Sequence, residues 1–301
     1  MPQRFAPVTR AAFWMGGALV SFMSMAIGGR QLSAEIGTFE ILTFRSLVGL
    51  AVILVILSRT GWHPIDTKAL GTHVLRNLAH FAGQYGWFYG IALIPLTEVF
   101  AIEFTLPIWT GLLAVLILGE RMSTTRKVAV ALGFTGVLVI LRPGVAAIHP
   151  AALAVLAGSF CYAIAYVLTK RLSSNQAPIA ILFYMTVIQL PLGLLPALPH
   201  WVWPSPGLWP WVVAVALAGL TAHYCLARAM RLADATVVVP LDFLRLPLIA
   251  VVSTVFYHEP VSGWVLAGAA LVCVAAWLNI RSATPARADA TDGAKASPVR
   301  R

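Results

Sequence analysis

Charge is what this sequence has least of. Of its 301 residues only 11% are charged and 11 are acidic, where a soluble domain carries roughly 25% charged residues. That deficit excludes an ordinary water-soluble globule. Cysteine is also scarce: Cys161, Cys225 and Cys273 each lie inside an apolar run and show no metal-ligand spacing. They read as buried thiols, neither disulfides nor zinc ligands. No Walker loop, HExxH or GxSxG occurs, so no common catalytic signature is present, and no cofactor or metal is expected. The net charge of +10 could suggest nucleic acid. The basic residues, however, sit at segment ends and in tails and form no patch with aromatics, which argues against that partner. The seven histidines are scattered, and His149, His200 and His258 fall at segment ends as interfacial residues.

What is abundant is hydrophobicity, at 59% of residues. The runs are continuous, with no strand-like alternation, which excludes a transmembrane β-barrel. In lipid a helix satisfies its own backbone, so the fold class expected is an all-α polytopic membrane protein. Ten spans fit, near 11–29, 38–57, 72–93, 96–118, 126–142, 151–169, 178–197, 208–228, 234–256 and 262–280. The first run is longer than a signal-peptide core and has an internal copy, so it is kept as a helix. Trp201, Trp203 and Trp209 lie in a proline-rich connection and suit a membrane–water interface. Basic residues are distributed unevenly. With the N-terminus inside, Arg4, Arg10, Arg59, Lys68, Arg121, Arg126, Lys127, Lys170, Arg171, Arg228, Arg231 and those from Arg281 onward fall inside, and Arg30 and Arg142 outside. This bias puts both termini on the cytoplasmic side. Residues 1–10 are then a cytoplasmic tail, and 282–301, with no apolar face, a disordered one.

One stretch organises the rest. Thr97–Ser123 is long enough to cross a bilayer, yet carries Glu98, Glu103 and Pro107 before it stops at Gly119-Glu120-Arg121. Its plan returns 139 positions later: Thr97, Glu103, Phe104, Glu120 and Ser123 match Thr236, Asp242, Phe243, Glu259 and Ser262. At an offset of 140, Ala11-Ala12, Leu32-Ser33, Ile41-Leu42 and Leu50 match Ala151-Ala152, Leu172-Ser173, Ile181-Leu182 and Leu190, while Tyr85 matches Tyr224 at 139. The chain is therefore read as two copies of five helices, over 11–142 and 150–281. Five is odd, so the second copy starts on the opposite side. Inverted repeats of this kind are typical of secondary transporters, with the site near the midplane between the halves.

The run Ala92-Leu93-Ile94-Pro95-Leu96 through Gly119-Glu120-Arg121-Met122-Ser123, then Gly133, Gly136-Val137 and Arg142-Pro143-Gly144, resembles the EamA repeat of the drug/metabolite transporter superfamily. His258-Glu259-Pro260 and Gly268 are the second-half partners, with His258 where the family usually has glycine, and Arg45 also fits. The resemblance implies a ten-helix inner-membrane carrier that moves small organic solutes by alternating access. Arg76, the Glu98–Glu103 helix and Arg142-Pro143-Gly144 are similar to the subgroup of S-adenosylmethionine and riboflavin carriers.

An ionisable group in hydrocarbon faces a partner or a wet cavity, so the candidate site begins with the charges inside spans. Glu103 is a candidate proton-coupling or cation-binding carboxylate, or else the structural partner of Arg76 or Arg45. Glu98 lies about 7.5 Å nearer the helix start, on a different face. Asp242 is the repeat counterpart of Glu103 and sits three residues before Arg245, a spacing that permits an ion pair. Arg45 and Arg76 could grip a carboxylate or phosphate. Arg76 could instead snorkel to the interface, and Arg45 is expected to pair with an acid. Tyr85, Tyr224, Trp109, Tyr162 and Trp14 are mid-span aromatics that could wall a cavity or pack a core, and beside acids they would suit a cation. The expected partner is thus a small solute, cationic or zwitterionic, and proton coupling is open. The protein is expected to be a monomer or weak homodimer. An integral-membrane lipid-modifying enzyme or a channel are the alternatives. The first would need an interfacial catalytic cluster, and the second usually needs several subunits.

Overall fold

A computed structural model describes residues 7–118, 124–142, 147–173, 175–232 and 244–283. Among them every regular element is helical. In order these are α1 (Pro7–Leu32), α2 (Thr38–Thr60), α3 (Leu70–Leu93), α4 (Leu96–Glu103), α5 (Leu106–Leu118), α6 (Thr124–Leu141), α7 (Pro150–Ser173), α8 (Pro178–Ala197), α9 (Trp209–Leu232), α10 (Arg245–Tyr257) and α11 (Gly263–Ala283), with short 3-10 turns between some of them. Five segments are long and apolar enough to cross a membrane: Thr9–Leu32, Thr38–Thr60, Pro150–Thr169, Pro178–His200 and Pro206–Leu226. The shorter Lys127–Leu141, Arg245–Tyr257 and Gly263–Leu278 are apolar too. The 24 residues of α3 give it the length without the apolarity, because it buries a row of polar side chains.

The expected fourth span is two helices. Pro107 has no N–H to give to the Glu103 carbonyl, so the ladder fails there. Phe104 and Thr105 form a turn, and the Thr105 hydroxyl donates to the Ile102 carbonyl at 2.8 Å. The helix thus ends on Glu103, its side chain inside the bundle. The expected ninth span begins, as described, at Arg245, and its earlier part, with Asp242, lies outside the described residues. The same holds for Gly119-Glu120-Arg121, for Pro143-Gly144 and for residues 1–6 and 284–301 of the expected tails; residues 7–10 instead open α1, and 282–283 close α11.

Packing repeats itself. Helix α1 lies along α9, and α3 along α7. With α1 matched to α7 and α3 to α9, these are one contact made twice. Helices α2 and α8, α6 and α11, and α4 and α10 each pair with their own counterpart. Two halves related by a twofold produce this pattern. Small residues allow the closest of these approaches. A Cβ on Gly136 would stand 2.8 Å from the Gly268 carbonyl, and one on Gly268 would stand 2.6 Å from that of Gly136, so α6 and α11 touch backbone to backbone.

The interior is one cluster of aliphatic and aromatic side chains, including Phe88, Phe100, Ile91, Leu96, Ile102 and Met15. A smaller cluster of Ile53, Leu57, Met185 and Leu220 joins α2, α8 and α9. The exterior is equally apolar: Phe13, Val20, Leu195 and Phe256 are 65–77% exposed. Such a surface is stable only against lipid.

One end of the bundle is tied by Arg30, whose Nη2 lies 2.7 Å from Glu259 Oε1 and donates to the Ile94 carbonyl. Glu259 also accepts from the Leu96 amide at 3.0 Å and from the Ser253 hydroxyl, so it caps the start of α4 from the opposite half. Glu120, its repeat counterpart, falls outside the described residues. Just before Glu259, His258 ends α10 in the left-handed region, at φ 53°. A side chain there is strained and glycine is not. The variant His258→Gly is therefore expected to raise stability by about 0.5–1 kcal/mol, read as a higher midpoint of thermal unfolding in detergent with the Arg30–Glu259 pair intact.

Candidate functional site

Helix α3 supplies the buried polar row. His73, Arg76, Asn77, His80 and Gln84 are spaced i, i+3, i+4, i+7, i+11 and share one stripe, each no more than 4% exposed. Arg76 Nε donates to the Thr169 hydroxyl at 3.1 Å and its Nη1 to Asn77 Oδ1 at 2.7 Å. Asn77 donates to the His73 carbonyl at 2.8 Å. From α8, Gln189 Nε2 reaches both Asn77 Oδ1 (3.2 Å) and His80 Nδ1 (3.0 Å). With Gln189 donating, His80 Nδ1 is the acceptor and its proton sits on Nε2. The His223 ring of α9 lies 5.1 Å from that of His80, and the Tyr162 ring of α7 5.5 Å from it. His73 stacks on Tyr184 at 4.2 Å.

Arg45 of α2 joins this group, 5% exposed. Its guanidinium lies on α9 at Gly219, where a Cβ would stand 2.6 Å from Nε. The expected acid partner is not there: among the described residues no carboxylate ion-pairs with Arg45 or Arg76. Arg76 does not snorkel either, being 4% exposed. Arg45 and Gln189 edge a cavity of about 10 Å³, the size of one water. Arg45 Nε, His80 Nε2, Gln84 Nε2 and both ring nitrogens of His73 are buried with no hydrogen-bond partner among the described residues.

Glu103 belongs to a second cluster. The Trp87 indole donates to Oε2 at 2.8 Å, and Arg245 Nη1 to Oε1 at 3.2 Å. The partner of Glu103 is therefore Arg245, rather than Arg45 or Arg76. The Arg245 guanidinium sits over Phe22, Phe104 and Phe100 at 4.6, 5.3 and 5.6 Å. This pair ties α4 to α10 across the two halves. Tyr162 stands between the clusters, near enough to feel the charges of Glu103, Arg45 and Arg245.

Toward the bundle end tied by Arg30, a groove of about 270 Å³ opens between α2 and α3, lined in part by Phe39, Glu40, Tyr85 and Tyr89. The two tyrosine rings are parallel at 5.9 Å, and Phe39 lies 4.6 Å from Tyr85. Glu40 is 6% exposed and makes no ion pair among the described residues. Acid and aromatic faces together suit a cation.

The other candidates stand apart. Tyr224 is exposed and packs on Trp14, over which Arg228 also lies at 5.4 Å. Trp109 contacts Phe134 and Phe160 and donates to the Thr105 hydroxyl at 3.2 Å. Glu98 is half-buried and within electrostatic reach of His149 and Arg142. Sequence reasoning missed His73, Asn77, His80, Gln84, Gln189, His223 and Glu40. The helical period of the polar residues in 73–84 was the signal for most of them; Glu40 gave none, since it resembles a helix-start acid.

The ion pair gives a direct test. Arg245→Met leaves Glu103 buried beside the Trp87 indole, at a cost of about 3–5 kcal/mol. Adding Glu103→Gln removes the buried charge that Arg245 balances, so the double variant is expected to unfold at a higher temperature than Arg245→Met alone. Additive losses would mean that the two residues are not coupled.

A family model described as the EamA-like transporter family matches residues 9–142 and again 149–281. The S-adenosylmethionine uptake transporter of Rickettsia prowazekii is 26% identical over 246 residues, covering 82% of this chain and 84% of that protein. The riboflavin transporter of Vibrio cholerae is 27% identical over 269 residues, covering 87% and 90%. The pseudopaline exporter CntI of Pseudomonas aeruginosa is 23% identical over 248 residues, covering 82% and 87%. A solved crystal structure shares the fold with a TM-score of 0.64 at 18% identity, covering 92% of this chain and 99% of its own.

Proposed function

The chain belongs to the EamA-like transporter family, and from that premise we propose that it is a secondary carrier working by alternating access, with its site between the two halves. It is a multi-pass membrane protein and a small-metabolite transporter of the drug/metabolite type. The observation that carries the finer reading is the helix pairing. Each half packs against the other through the same contacts made twice, around a buried polar centre. An inverted repeat of two times five spans accounts for that pairing, and rocking one half against the other would expose the centre to each side in turn. The basic-residue bias supports cytoplasmic termini. The relatives are named for transport, which favours carriage over catalysis, and a twofold held within one chain favours a carrier over an oligomeric channel.

Two features bear on the solute. The Arg45–Arg76 cluster offers cationic donors, and the groove of Phe39, Glu40, Tyr85 and Tyr89 offers an acid with aromatic faces. A zwitterionic metabolite such as S-adenosylmethionine has a counterpart for each. Glu103, held by Arg245 and Trp87, fits a role in joining the halves better than one as an open coupling carboxylate.

In proteoliposomes, S-adenosylmethionine preloaded inside is expected to accelerate uptake of labelled S-adenosylmethionine several-fold. The same test with riboflavin covers the other named substrate class. A flat response to both, with high conductance, would sink the carrier reading. Fused to the C-terminus, a fluorescent protein is expected to glow and an alkaline phosphatase to be inactive, as a cytoplasmic tail requires.

A further inference from the structure

We infer that Arg45 and Arg76, with the N–H of His80 beside them, form a subsite for the carboxylate of the transported solute, so that the carrier selects acid-bearing metabolites over neutral ones. This deepens the carrier reading and rests on it.

Three observations carry the inference. The first is charge. Two guanidiniums are buried to 5% and 4% exposure with no ion-paired acid among the described residues. A buried charge with no counter-charge is costly, and the cost is reduced when an anion arrives. The contrast with Arg245 is direct, since that guanidinium has Glu103 at 3.2 Å.

The second is hydrogen bonding. Arg45 Nε and His80 Nε2 are buried and have no hydrogen-bond partner among the described residues. With Gln189 donating to His80 Nδ1, Nε2 carries the proton, so both open positions are donors. Open donors of this kind are satisfied by a ligand that accepts, which is what a carboxylate does.

The third is the internal repeat. At the offset of 140 the counterpart of Arg45 is Met185, and at 139 that of Arg76 is Val215. Both are buried apolar residues, 3% and 1% exposed. The same packing position in the other half is thus filled by a hydrophobe, so the fold itself does not require arginine there. The counterpart of His80 is Gly219, the residue whose missing side chain lets Arg45 lie against α9. The two halves differ at all three of these positions, which assemble the cation cluster. Because both arginines are shielded from the exterior, a lipid headgroup at the surface does not reach them, and a solute entering between the halves does.

The test uses the purified full chain and a matched ligand series. S-adenosylmethionine, L-methionine and L-glutamate carry the carboxylate; decarboxylated S-adenosylmethionine, methioninamide and riboflavin do not. Ligand-induced thermal stabilisation and counterflow are measured in parallel. S-adenosylmethionine is expected to bind at least about tenfold more tightly than its decarboxylated form, the worth of one charge-assisted contact. Arg45→Gln should erase that difference while Arg45→Lys keeps part of it. If Arg45→Gln does not fold, the wild-type series decides alone. Equal binding of the paired analogues, binding of riboflavin alone, or stabilisation by no carboxylate in the series overturns the subsite. Counterflow of riboflavin alone leaves the carrier reading standing and removes the subsite. A carboxylate preference in binding without counterflow of any ligand does the reverse.

Discussion

A charge inside a helical bundle in lipid must be neutralised from within, because neither water nor hydrocarbon will do it. That constraint sorts the ionisable residues of this chain better than their positions along the spans. Glu103 and Arg245 meet it together, each from its own half, with the Trp87 indole on the second carboxylate oxygen and phenylalanine faces around the guanidinium. Glu259 meets it at the bundle end through Arg30 and the amide of Leu96. Arg45 and Arg76 are buried as deeply and ion-pair with no acid among the described residues. The two kinds of charge therefore have different physical tasks. Paired ones hold the halves in register; the others leave an electrostatic demand that packing does not fill.

Backbone breaks decide where the paired charges go. Pro107 interrupts the ladder at Glu103, so the carboxylate stands at a helix end and is not locked into a continuous wall. Its partner Arg245 opens α10. Helix ends turned inward are where a bundle can change shape with few hydrogen bonds at stake, since the last carbonyls and first amides have no intrahelical partners in any case. The ion pair of Glu103 and Arg245 joins α4 to α10, while α6 meets α11 backbone to backbone at Gly136 and Gly268.

Much of the architecture was legible in the sequence, because lipid enforces long apolar runs and an internal repeat exposes their order. Glu103, Arg45, Arg76, Arg245 and Tyr162 were also legible as charges or aromatics out of place, and the structure brings them into two adjoining clusters. Their partnerships were not. The match of Glu103 to Asp242 drew attention to a pair of acids, whereas the contact made by Glu103 is to Arg245, across the halves, a distance no local spacing encodes. Nor did hydropathy reveal the polar row of α3. Its histidines, amides and one arginine are diluted by apolar neighbours, and only the helical period shows that they share a face. Tyr224 shows the reach of symmetry: its match to Tyr85 made it a candidate, and the two stand differently, Tyr85 lining a groove and Tyr224 exposed against Trp14.

That last mismatch has a general cause. An inverted repeat makes two halves alike in packing, and a binding site must make them unlike in chemistry, because a solute is not itself twofold symmetric. Positions that keep both halves folded stay similar in kind, as the small residues and aliphatics do here. Those that meet the solute are released from that requirement. Arg45 against Met185, Arg76 against Val215 and His80 against Gly219 are differences of this sort, and all six side chains or their absence fall inside the bundle. Asymmetry on a symmetric frame is therefore a better pointer to the site of such a chain than the symmetric acids that first stand out. It also explains why the cation cluster draws both arginines from the first half and its closest packing surface from the second.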